Sequence, residues 1–158
     1  MTMKNKNQEN FIDIQMLFDS KKGYFDISFT DEGDIKSDSS FDTTINCSLL
    51  TDGRADSSEV PLVERQRGTI VDLFTRKRNG SKVWLIDQSR ADLSAKNKMI
   101  DYARNALYFL VEEGFIKDLS VSAELKAEGI SLFITFVRFT GVYDKYRFDA
   151  WNSSIYKV

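Results

Sequence analysis

The spacing of apolar and polar residues changes several times along this chain, and its periodic stretches mark the elements. Over residues 11–30 the period is two. Phe11, Ile12 and Ile14 open one arm and Tyr24, Phe25, Ile27 and Phe29 form the other, interrupted by Asp26 and Ser28. That pattern predicts a β-hairpin turning at Ser20-Lys21-Lys22-Gly23. Asp31, Glu32, Asp34 and Asp38 then gather around Gly33. Clustered carboxylates suit a hard cation, but the spacing fits no known calcium loop, so a solvated turn is expected. A first helix follows over about residues 41–50, with Asp42 or Thr43 as its N-cap and Ile45, Leu49, Cys47 and Leu50 toward the core.

Residues 51–82 carry no period. They hold the only proline, Pro61, and concentrate Arg54, Arg65, Arg67, Arg76, Lys77, Arg78 and Lys82. No aromatic side chains are interleaved with these cations as a nucleic-acid groove needs, so a solvated or protein-facing loop is expected.

From about Ser94 to Val111 the period lengthens. Ala95, Met99, Ala103, Ala106, Leu107 and Leu110 recur three and four residues apart, with Asn97, Asp101 and Arg104 opposite. Gly114 stops this second helix. Glu112 and Glu113 fall at its negative end, where acids are disfavoured by a few tenths of a kcal/mol. Either they are solvated or one has a fixed arginine partner.

The period then returns to two. Leu119, Val121, Ala123 and Leu125 alternate with Ser120, Ser122 and Glu124. Ile130 to Phe139 is apolar on both faces: Ile130, Leu132, Ile134 and Phe136 on one, Phe133, Val137 and Phe139 on the other. Such a strand is central or covered by a partner. The last strand, about Lys145 to Trp151, sets Tyr146, Phe148 and Ala150 against Arg147, Asp149 and Trp151, and is expected to leave an open edge. The fold class is α+β. One domain, residues 11–158, holds an N-terminal hairpin and two main helices packed on a C-terminal antiparallel sheet of about three strands. Residues 1–10 are expected to be disordered or extended.

Composition narrows the chemistry. At 158 residues the chain can bury roughly 70% of its unfolded surface. Its net charge of −2 gives no field for nucleic acid or an anionic membrane. Met1 to Asn10 is polar, unlike a signal peptide, and no apolar run is long enough for a membrane span. Cys47 has no partner for a disulfide and is expected to be a small buried hydrophobe, in a reducing cytoplasm. The absence of histidine removes Ser-His-Asp and Cys-His nucleophiles and most zinc sites. Neither a phosphate loop nor a Gly-x-Gly-x-x-Gly run occurs, and no cofactor or metal is implied. Only carboxylate chemistry survives, and with 24 acidic residues a pair by itself carries no information.

Ser48-Leu49-Leu50-Thr51-Asp52-Gly53-Arg54-Ala55, then Arg67-Gly68, Gly80-Ser81-Lys82-Val83-Trp84-Leu85 and Leu110-Val111-Glu112-Glu113-Gly114 follow one another in order. This series resembles the Mu-type bacteriophage baseplate wedge family, which is similar to the sheath initiators of contractile tails (the lysozyme-like wedge subunits). The likeness spans about residues 12–151 and is tightest from Thr44 to Ile116. It departs where many relatives follow the Arg-Gly with paired tryptophans and an Asp. Here Thr69-Ile70-Val71-Asp72 stands, leaving Ile70 and Val71 to fill that space with less area.

The resemblance implies a non-enzymatic structural subunit of a tail baseplate, assembled in the host cytoplasm, six copies to a particle. Its partners would be other wedge proteins, the tail sheath protein and tail tube or hub proteins, with no nucleic acid and no membrane. The interaction residues so implied are Asp52, Arg54, Arg67, Gly68, Trp84 and Glu112, with at least one fixed Arg–carboxylate pair among the charges. The C-terminal sheet adds Phe133, Val137, Phe139, Arg147, Phe148 and Trp151 as a docking surface for sheath. Two other classes stay open: a carboxylate-dependent peptidoglycan hydrolase carried by the tail, and a small cytoplasmic adaptor.

Overall fold

The computed structural model describes residues 12–19, 24–62, 65–74, 79–86, 91–149 and 154–158. The expectations for residues 1–10, the turn at Ser20–Gly23, the cations Arg76, Lys77 and Arg78, and Ala150 and Trp151 lie outside them.

Two small antiparallel ladders open the chain. β1 (Asp13–Ile14) pairs with β4 (Ser37–Asp38), and β2 (Met16–Asp19) with β3 (Tyr24–Ile27). The hairpin is present, but its first arm is Met16–Asp19 rather than Ile12–Ile14, and Phe11 lies outside the described residues. Ile14 is instead matched to Ser37, beyond the acidic turn. That turn closes through Gly33 N donating to the Thr30 carbonyl at 3.0 Å and Thr30 N to that of Asp34 at 2.7 Å.

α1 spans Asp42–Leu50, and neither Asp42 nor Thr43 caps it. The cap comes from β1: the Asp13 carboxylate accepts the Thr44 amide at 2.8 Å and its hydroxyl at 2.6 Å. One orphan donor of the first turn is thus satisfied by a residue 31 positions away. Ile45 and Leu49 are buried as expected, whereas Cys47 and Leu50 are exposed. At roughly 100° per residue Cys47 sits on the far side from Ile45, and Thr43 and Asn46 take the remaining core positions.

The second helical stretch is broken once. α2 (Leu93–Leu107) and the short α3 (Phe109–Glu112) meet at Tyr108. Asp92 caps α2 by accepting the Ala95 amide at 2.8 Å. Ala95, Met99, Ala103, Leu107 and Leu110 line the buried face, and Gly114 ends α3.

The sheet runs β5 (Asp118–Lys126), β6 (Gly129–Val137), β7 (Tyr143–Asp149) and β8 (Ser154–Lys157), each antiparallel to the next. The three expected strands are there, and a fourth corrects the expected edge. Arg147 lies opposite Tyr156, so β7 is interior and, among the described residues, the open edges belong to β5 and β8. A four-residue strand is too short to show a period.

α2 packs over β5 and β6, burying Val121, Ala123, Leu132 and Ile134 beneath it. A second focus joins the chain's two ends. Phe41 meets Phe136 edge-on at 5.0 Å, Phe136 lies 5.6 Å from Tyr146, and the Phe41 amide donates to the Tyr146 hydroxyl at 3.0 Å. Burying each such ring is worth about 2–3 kcal/mol. Phe148, expected at a docking surface, is also in this core, 1% exposed. It shares a face with Tyr146, and that face meets the helices.

Candidate protein-docking site

The segments following α1 are drawn into one knot by backbone contacts that only small residues allow. Gly53 N donates to the Ser81 carbonyl at 2.7 Å, and Ser81 N to that of Thr51 at 2.9 Å. The Ser81 hydroxyl donates to the Leu49 carbonyl at 2.7 Å, tying the loop to the end of α1. Ala55 N reaches the Gln66 carbonyl at 2.9 Å, bringing in the Arg67-Gly68 pair. A Cβ on Gly68, whose φ is +102°, would stand 2.8 Å from the Cβ of Arg54.

Trp84 is the pin. It is 7% exposed and donates its indole N–H to the Gly53 carbonyl at 2.9 Å. The Arg67 guanidinium stacks 4.4 Å from its ring while pairing with Asp52 at 2.9 Å. Among the motif charges, the Arg–carboxylate contact is Arg67–Asp52. Both side chains are about half exposed, so the pair contributes under about 1 kcal/mol. Arg54 instead donates to the Gln66 side-chain carbonyl at 3.1 Å.

Gln66 escaped sequence reasoning because a lone glutamine in an irregular stretch carries no periodic signal. It is 4% exposed, and its amide donates to Ser57 Oγ at 3.2 Å and the Val60 carbonyl at 3.0 Å. A second missed network fastens the loop to α2. Lys82 pairs with Asp56 at 2.5 Å and Glu59 at 2.7 Å, and Glu59 accepts the Tyr102 hydroxyl at 2.8 Å. Burial first, then the Glu59 carboxylate, pushes the Tyr102 phenol up to about 12. Burial raises the Glu59 carboxyl, but Lys82 and the Asp56 amide more than offset it, leaving it below the usual range.

Asp72 anchors the loop tip. It accepts the Thr69 amide at 2.7 Å and the Asn79 amide at 3.1 Å. Burial raises its carboxyl, yet those amides and the charge of Arg54 outweigh it and hold the group below its ordinary 3.8. A depressed carboxyl contributes stability that is present above that value and lost as pH falls through the folded one. Asp72→Asn should accordingly flatten the acid limb of the pH–Tm profile below about pH 4. An unchanged acid limb would show that Asp72 does not hold the tip. Beside it, Ile70 and Phe74 are 73% and 82% exposed, so Ile70 fills no interior space.

The remaining expected residues lie apart. Glu112 is exposed on α3, and among the described residues no arginine pairs with it. It borders a groove with Thr51 and Gly80, so the knot forms one wall of the surface on which it stands. Phe133 and Val137 are half-buried on the sheet face opposite the helices. Arg147, opposite Phe133, holds Asp149 with both arms of its fork at 3.0 and 2.8 Å. Phe139 lies beyond the end of β6, in the turn to β7, and is exposed.

A small α+β domain whose long loop is knotted by a tryptophan and ion pairs and tied to its helices by hydrogen bonds is the class this geometry defines. Within it, a family model described as phage protein GP46 matches residues 41–142, and the chain belongs to that family. The chain is also similar to the baseplate protein gp46 of Escherichia phage Mu, 31% identical over 120 residues, which cover 74% of this chain and 83% of that protein. The knot residues Asp52, Arg54, Arg67, Gly68 and Trp84, and Glu112 beside them, all fall inside the matched range.

Proposed function

We propose that this chain is a structural subunit of a contractile-tail baseplate that joins the wedge to the first sheath ring and templates sheath assembly. The observation that carries this is the edge of the C-terminal sheet. β5 runs nine residues with, among the described residues, a neighbour on one side only, and α2 packs across it. An edge of that length offers a row of N–H and C=O groups to an added strand, with Ser120, Ser122 and Glu124 exposed along it. A rigid edge passes its register to whatever pairs with it. The strand edge once expected at Arg147 is replaced in this reading by β5.

Hydrogen exchange tests it. In the free protein, alternate amides from Asp118 to Lys126 should exchange fast and their neighbours slowly, and the fast set should slow on adding sheath protein. A fast set that stays fast in sheath-bearing baseplates moves the junction elsewhere.

A hydrolase would need two carboxyls with separated titration in a cleft. Burial raises the Asp42 carboxyl, and the Ser40 side chain lowers that of its neighbour Asp38. Asp42 sits at the start of α1, outside the grooves lined by the knot, α2 and α3. We therefore expect purified protein not to clear a peptidoglycan suspension. Clearing that Asp42→Asn abolishes would reverse the assignment.

A further inference from the structure

A groove of about 530 Å³ runs between the outer side of α1, the backbone of Gly80 and the last turns of α2 and α3. It continues past Asn105 and Ala106 into a second hollow of about 200 Å³ beside Arg54 and Lys82. Its lining is mostly apolar, and it is bounded by two of the chain's family-matching runs, the end of α1 with Thr51 and the end of α3.

Two side chains on one helical face give it a chemical preference. The Glu112 amide donates to the Tyr108 carbonyl at 3.2 Å, so these residues stand one turn apart on the same side. Tyr108 is 48% exposed, and Glu112 is exposed with no cation of the described residues paired to it. Glu112 also stands where carbonyl ends already gather negative charge, so a cation there answers both. An aromatic ring beside a carboxylate suits guanidinium best, because its plane stacks while its fork pairs. The chain uses that pairing on itself, where Arg67 lies between Trp84 and Asp52.

We propose that this groove receives an arginine-bearing segment of a neighbouring baseplate subunit, its guanidinium stacked on Tyr108 and paired with Glu112 and its adjoining apolar side chain resting in the hollow. The proposal rests on the baseplate reading above and adds the surface and the partner's chemistry. Size agrees, since the volume holds a few side chains rather than a folded element.

Cys47, exposed on the groove wall, supplies the probe. A maleimide should label Cys47 in the free full-length chain and label it at least about tenfold more slowly in assembled tail particles. A benzophenone placed on Cys47 should cross-link to a partner segment containing arginine. Glu112→Gln and Tyr108→Ala should each lower incorporation into particles about tenfold without changing Tm, as expected for loss of a charge-assisted fork or its stacking face. Glu32→Lys, in the exposed acidic turn, should incorporate normally.

Equal Cys47 labelling in particle and free chain overturns the proposal, as does a cross-link to a segment lacking arginine. Normal incorporation of both variants does the same. In those cases the chain is still found in the particle and the baseplate reading stands. Absence of the wild-type chain from particles overturns both.

Discussion

Gly80→Ala should unfold this protein or lower its Tm far more than Gly141→Ala does. A Cβ at Gly80 would stand 2.3 Å from the Thr51 carbonyl oxygen, which belongs to the backbone and cannot swing aside. The residue also has a φ of +78°, which costs an L side chain roughly 1–2 kcal/mol on its own. Gly141 provides the control. Its φ is +83°, but nothing lies within 4 Å of its added Cβ. Gly141→Ala should therefore lose only the conformational part, about 1 kcal/mol, while Gly80→Ala exceeds about 4 kcal/mol. Thermal unfolding of the two variants side by side decides it. Equal losses would mean that Thr51 and Gly80 do not approach as closely as described.

Trp84→Ala is the second large effect. It removes a buried indole, the donor to the Gly53 carbonyl and the ring under Arg67. Truncating a buried aromatic costs about 3–5 kcal/mol. Arg67→Ala gives up only the stacked, half-exposed pair with Asp52, so about 1 kcal/mol is expected. The order of the two separates packing from charge in the knot. If Arg67→Ala proved the more damaging in denaturant unfolding, the ion pair rather than the indole would be the pin. The double variant should lose less than the sum, because both singles remove the same stacking contact.

Much of the core was legible in the chain because burial and period coincide there. Met99, Ala103, Leu107 and Leu110 on the helices and Leu132, Ile134 and Phe136 on β6 follow from spacing alone. The misses share a cause, which is a partner remote in sequence. Asp13 caps α1 from 31 residues away, so Asp42 and Thr43 looked like the natural candidates. β8 covers Arg147 with a strand too short to announce itself, and Phe148 went with the inward face. Cys47 looked buried by residue type, but a nine-residue helix gives it no place on the inner side. In the knot, family likeness pointed to Asp52, Arg67 and Trp84, whereas Gln66, Lys82 and Glu59 join only through loop contacts no spacing rule describes.

The joining of Phe41 to Tyr146 also sets an order in time. A ribosome releases α1 long before β6 and β7 exist, and until then Phe41 has neither the Phe136 ring nor the hydroxyl that takes its amide. The β5–β6 and β6–β7 hairpins are local and quick to form, whereas this closure spans 105 residues and must wait for them. The nascent chain thus carries the inner face of α1 without its Phe136 and Tyr146 partners until β6 and β7 are made. A chain interrupted before Tyr146 would display the Phe41 face that the folded one hides.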